Sequence, residues 1–146
     1  MTATTDYYRS GEEIETVVRD FESCTTKPED FNHRAHLTVA FAYLHLFRLN
    51  VAEATDRMRA GLYRFVDHND IDRQKYNETI TIFWIKRVHS FLAGADTERL
   101  ASDIANEMIE ACGGTKLVYE YYSKERLSTD EARTMWVEPD VKALDF

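Results

Sequence analysis

Proline is almost missing from this sequence: Pro28 and Pro139 are its only two, and both stand at breaks between periodic segments. With no proline inside them, those segments can run as long helices, because no amide donor is lost and no preceding turn is blocked. Cysteine is as scarce. Cys24 and Cys112 lie far apart and form neither a CxxC pair nor part of a zinc spacing, so two reduced structural thiols are the simplest reading. A disulfide would need both their approach in the fold and an oxidising compartment, of which the sequence gives no other sign. Basic charge is short as well: 18 Lys and Arg against 26 Asp and Glu leave a formal charge of -8, with no basic run to follow a line of phosphates. Nucleic acid is therefore not an expected partner. No stretch approaches the ~20 consecutive apolar residues that cross a bilayer, and Met1 to Asp6 shows no basic segment leading into an apolar one. No membrane association and a cytoplasmic location are the expectations.

What is present is a globular composition. The 146 residues are 44% hydrophobic and 30% charged, enough for one domain to enclose a core without disulfide or metal staples. No repeat, low-complexity tract or linker divides the chain. The periodicity predicts an all-α fold: a compact single-domain bundle of about five or six helices, given the usual ~11–12 residues per helix, with an extended C-terminal tail.

Start and stop signals mark the helices. Ser10-Gly11-Glu12-Glu13 offers a capping box ahead of the stripe Ile14, Val17, Val18, Phe21. Thr26-Lys27-Pro28-Glu29 is a second start. From about Asn32 to Leu49 the chain is apolar around most of its circumference; at 100° per residue Arg34, Thr38, His45 and Arg48 share a narrow polar strip opposite His33, His36, Ala40, Leu44 and Phe47. Further helices are predicted from Val51 to Val66, from Arg73 to Ala93 with Ile80, Trp84, Ile85, Val88, Phe91 and Leu92 on a broad apolar face, and from Thr97 to Cys112. Gly113-Gly114 provides the last of these with a left-handed stop. Ser128-Thr129-Asp130-Glu131 could cap a short helix through Trp136, and Pro139 keeps the residue before it extended.

Three places could carry chemistry. His33-Arg34-Ala35-His36 sets two imidazoles on one face of a helix start, close enough for one divalent metal or one polar ligand, and the helix N-terminus disfavours imidazolium. The competing reading is a pair of hydrogen-bonded core histidines. In Tyr76-Asn77-Glu78-Thr79-Ile80-Thr81, Asn77 and Thr81 point into the apolar arc, either capping and bridging helices or lining a cavity. Glu78 is the natural carboxylate partner for His33 or His36 if the two helix starts meet, so His33, His36 and Glu78 are the metal candidates. In Tyr121-Tyr122-Ser123-Lys124-Glu125-Arg126-Leu127, Tyr122 and Arg126 could orient an anionic or polar ligand, or simply pack at the bundle edge. No Ser–His–Asp spacing, P-loop or dinucleotide-binding glycine pattern is present.

Phe31-x-His33-Arg34-x-His36-Leu37, Tyr76-x-Glu78-Thr79-Ile80-Thr81 and Tyr121-Tyr122-Ser123-x-x-Arg126-Leu127 together resemble the recurrent pieces of a family of small bacterial all-helical proteins. The resemblance implies a shared helical fold and a common site region, and it supplies no substrate. Its members often carry His where this sequence has Asn77, a departure that weakens a metal reading here. The functional expectation is a small-molecule-binding helical domain, with enzymatic use of a His/Glu polar site open, and with His33, His36, Asn77, Glu78, Tyr122 and Arg126 as ligand-binding candidates. The alternative is a noncatalytic interaction domain, such as a homodimer built on an exposed apolar surface.

Overall fold

A computed structural model describes residues 5–146, so Met1 to Thr4, most of the stretch in which no leader segment was read, lie outside it. Five helices of nine to eighteen residues form the bundle: α1 (Gly11–Glu22), α2 (His33–Phe41), α3 (Val51–His68), α4 (Glu78–Gly94) and α5 (Ala101–Cys112). Two short helices follow, α6 (Lys124–Leu127) and α7 (Asp130–Thr134), and no strand occurs among the described residues. The all-α bundle is as expected, and no helix among the described residues is long and apolar enough to cross a membrane.

Polar caps place the helix starts. Ser10 accepts the Glu13 amide at 3.3 Å, but the Glu13 carboxylate closes on the Arg9 amide at 2.8 Å, one residue upstream of the expected partner. Asn32 caps α2 through the Ala35 amide at 2.9 Å, and Asn50 with Glu53 forms a complete capping box at the head of α3. α5 begins at Ala101, later than the expected Thr97, with no side-chain cap. Its end is the expected one, at Gly113 with φ +81°.

α4 runs through the middle of the bundle, against α2, α3, α5 and α7, and its Phe83, Trp84, Ile85 and Val88 are buried. α2 packs against α1, α3, α4 and α5 and is likewise enclosed. Of the polar strip expected along α2, Arg34 and Arg48 are exposed, but Thr38 is 0% and His45 9% exposed. Thr38 satisfies its hydroxyl on the Arg34 carbonyl and meets the Tyr8 hydroxyl, both at 2.8 Å. His45 falls in a π-helical turn, Ala42–Leu46, where the Phe47 amide reaches back five residues to Ala42 O. An extra residue in the turn shifts every later side chain off a 100° wheel and leaves the His45 ring 5.2 Å from that of Phe41.

The last dozen residues, 135–146, form the extended tail and are tied down at several points. Tyr122 donates to Val137 O at 2.6 Å, Ser123 donates to Asp140 through its amide at 2.8 Å and its hydroxyl at 2.5 Å, and Tyr121 donates to Asp145 at 2.5 Å. Phe146 closes edge-on against Phe83, with ring centroids 5.4 Å apart.

One close approach gives a direct test of packing. A Cβ at buried Gly61 would lie 2.6 Å from Cε2 of Phe21, a fully buried ring that itself stacks on Phe31 at 4.6 Å. Overpacking of this kind costs roughly 1–3 kcal/mol and outweighs the ~1 kcal/mol that alanine gains over glycine inside a helix. Gly61→Ala is expected to lose about 1 kcal/mol net in urea denaturation. Unchanged or raised stability would mean that the Phe21 ring slides aside freely.

Candidate functional site

The first turn of α2 presents His33 and His36 to one cavity of about 370 Å³. Its walls are Phe31, Leu62, Ile80, Trp84, Val118 and Tyr119, with Asn32 and Thr115 completing it; no Lys, Arg, Asp or Glu lines it. The sequence therefore brings a helix start, two apolar faces and the segment after α5 around a small, mostly aromatic space.

The two imidazoles differ. His33 is half-buried, edge-on to Trp84 at 4.5 Å, and its Nε2 lies 3.0 Å from the carbonyl of Gly113. A carbonyl only accepts, so that nitrogen carries the proton and the lone pair of neutral His33 is on Nδ1. The bond ties the head of α2 to the end of α5. Burial holds the His33 pKa below the ordinary range, with the Gly113 carbonyl opposing. His36 is partly exposed as a residue, yet its Nε2 is shut off from solvent and has no hydrogen-bond partner in the protein. Burial, and then the neighbouring His33, push its pKa down to about 4. Both rings are neutral at pH 7.

No protein-family model, no curated protein and no solved structure matches the chain.

Glu78 does not join the histidines. It is buried at the start of α4, where Arg59 of α3 grips it through Nε at 2.9 Å and Nη2 at 2.5 Å while the Tyr76 hydroxyl donates to the same carboxylate. A planar guanidinium matches both carboxylate oxygens at once, which a single imidazole cannot do. Hydrogen bonding to Glu78 raises the Arg59 pKa, and burial, then Glu78, raises that of the Tyr76 hydroxyl. The expected trio of His33, His36 and Glu78 is not assembled, and no group of three or more His, Cys, Asp or Glu that could hold a metal occurs among the described residues.

The remaining candidates hold the fold. Asn77 caps α4 through the Ile80 amide at 3.0 Å and donates to Leu127 O at 2.9 Å, joining α4 to α6. It also edges a smaller cavity of about 180 Å³ that shares Leu62 and Ile80 with the larger one. Tyr122 spends its hydroxyl on the tail at Val137 O, and burial raises its pKa. Arg126 reaches a backbone carbonyl, that of Glu138 at 3.4 Å, rather than a carboxylate. None of these three lines the cavity of the histidines. Trp84 and Tyr119, which do, were visible in the sequence only as an apolar-face residue and one of an aromatic cluster; nothing in their spacing marks a wall.

Gly113 is the position on which His33 depends. At φ +81°, ψ -173° it occupies a region open in practice to glycine alone, although no atom lies within 4 Å of a Cβ built there. Gly113→Ala is expected to cost about 1–3 kcal/mol from backbone strain and to release the His33 Nε2 proton from its carbonyl. Urea denaturation and the imidazole proton spectrum check this; an alanine variant with unchanged stability and an intact His33 bond would refute it.

Proposed function

We propose that the chain is a small-molecule-binding helical domain and that its site is the cavity at the head of α2, with His33 and His36 as its polar lining. The observation that carries this reading is the convergence of two imidazoles on a space otherwise walled by Phe31, Leu62, Ile80, Trp84, Val118 and Tyr119. The surroundings suit the role: mostly apolar walls with a few convergent polar groups, and a second imidazole held in place by Gly113.

A divalent metal fits less well: Glu78, the carboxylate expected beside the histidines, is held by Arg59, and no third ligand joins the two imidazoles among the described residues. A cytoplasmic setting belongs to the same proposal and is supported by two free thiols, of which buried Cys112 has its pKa raised to about 11 and is a poor nucleophile.

Ligand-detected NMR with a library of small aromatic fragments tests the site. Hits are expected to compete with one another, to shift the Trp84 indole and the His33 and His36 rings, and to be lost in Ile80→Phe, which fills the cavity. Fragments that bind Ile80→Phe as well as the parent chain, or that shift only residues elsewhere, would overturn the reading.

A further inference from the structure

His33 offers the cavity an acceptor whose sense is fixed. Its Nε2 lies 3.0 Å from Gly113 O and must donate there, which leaves Nδ1 of the neutral ring as a bare lone pair. Moving the proton to Nδ1 would break that bond and set the Nε2 lone pair against the carbonyl oxygen, so the tautomer is held. Gly113 is itself fixed by its place at the end of α5, at φ +81°. Burial, opposed by the Gly113 carbonyl, holds the His33 pKa below the ordinary range, and the ring is neutral at neutral pH.

That lone pair is unused. No hydrogen bond to Nδ1 forms among the described residues, and the sealed, unpartnered side-chain nitrogen among them is His36 Nε2 alone, so His33 Nδ1 reaches accessible surface on a residue that lines the cavity. Its neighbours in the lining do not compete for the part. His36 Nε2 is closed to solvent, and Asn32 Oδ1 already accepts the Ala35 amide. The Trp84 indole can only donate, and the hydroxyls of Thr115 and Tyr119 rotate to suit donors and acceptors alike. His33 Nδ1 is therefore the free side-chain acceptor of fixed sense in an otherwise mostly apolar lining.

Resting on the proposed site, we infer that its ligand is a hydrogen-bond donor: a molecule with an apolar body that seats against Phe31, Trp84 and Tyr119 and gives an N–H or O–H to His33 Nδ1. A phenol, an alcohol or an N–H heterocycle can do this. An ether, an ester or an ionised carboxylate cannot.

Phenol and anisole are matched probes, because methylation removes the donor and adds apolar surface. Phenol is uncharged at pH 7.5, with a pKa near the ~10 of a tyrosine hydroxyl. In NMR titrations of the full chain phenol is expected to bind about three- to tenfold more tightly than anisole, the worth of one net hydrogen bond, although the added surface favours anisole. The His33 Nδ1 resonance should start at the position of an unprotonated nitrogen, move towards that of a protonated one with phenol, and hold its place with anisole. His33→Gln keeps an N–H within reach of Gly113 O and puts no acceptor at the Nδ1 position, so it should erase the advantage of phenol. The spectrum of the parent chain decides the matter even if that variant does not fold. Equal binding of the two probes, a phenol advantage that survives in folded His33→Gln, or a His33 Nδ1 that already carries the proton would overturn the donor class and leave the site in place. If neither probe binds, or if both bind Ile80→Phe as well as the parent chain, the site fails together with the ligand class.

Discussion

Glu78→Ala is expected to lower the unfolding free energy by about 3 kcal/mol, the range for removing one member of a buried ion pair. The carboxylate side chain is 9% exposed and accepts two bonds from Arg59 and one from Tyr76. Alanine leaves the Tyr76 hydroxyl buried without an acceptor and the guanidinium beside it without a counter-charge. The Arg59 side chain is 36% exposed and bonds to Asp56 as well, so part of the loss is recovered by water, which keeps the figure at the lower end. Pairing Glu78→Leu with Arg59→Met is expected to restore much of the stability, because removing both charges removes the desolvation penalty as well as the attraction. Urea denaturation of the two single variants and the double variant measures this directly. A loss below about 1 kcal/mol for Glu78→Ala would mean that the pair contributes no more than a surface ion pair. Retained ligand is expected to be unaffected per folded molecule, since Glu78 lies outside the cavity lining.

Acidification from pH 7 to 4 is expected to remove about 3 kcal/mol of stability through His36 alone, at about 1.4 kcal/mol for each unit of pKa shift. The unfolded chain takes up the proton near pH 6.5, whereas the folded ring resists it down to about 4. Across that window the unfolded state binds more protons, so the contribution is fully present above pH 6.5 and is lost as the pH falls towards 4. His33 and His45, whose pKa values burial also lowers, act in the same direction. Glu22 is held low by Arg57 and acts at still lower pH, below its ordinary range near 4.5. The interval from pH 6.5 to 5 therefore belongs to the histidines. His36→Phe should flatten the slope there in urea denaturation at half-unit steps, while a profile as steep as that of the parent chain would show that His36 is protonated in the native fold.

Much of the fold was legible because it depends on near neighbours. The Ile14, Val18, Phe21 stripe, the placing of both prolines outside the long helices and the Gly113 stop are set by residues within a turn or two of one another, and they came out where the pattern placed them. The α2 polar strip failed at His45, where one π turn at Ala42–Leu46 breaks the constant angle on which the wheel relies, and at Thr38, ahead of that turn, where the distant Tyr8 covers the hydroxyl. The start of α5 was misplaced because no side chain caps it at Ala101, so nothing local marks the boundary, and Arg99 in the stretch before it forks onto Glu107 at 2.8 Å through both terminal nitrogens. The candidate site was legible only in half. Spacing alone puts His33 and His36 on one helix face, but the choice of Arg59 over a histidine as the partner of Glu78 is made between α3 and α4 in three dimensions, where Arg59 flanks the buried Met58 on its helix. The walls of the cavity were hidden for the same reason: Trp84 and Tyr119 come from segments that no periodicity relates.

The central claim is that the cavity lined by His33 and His36 at the head of α2 binds a small molecule. A long-range proton–nitrogen spectrum of the imidazoles, recorded at pH 7.5 with and without a saturating aromatic fragment, tests it most directly. His36 should be neutral in both spectra, the His33 and His36 resonances should move on binding, and contacts should be seen from the fragment to Trp84 and Tyr119. A bound fragment that leaves both imidazoles unmoved, or a His36 ring already protonated before anything is added, would contradict it.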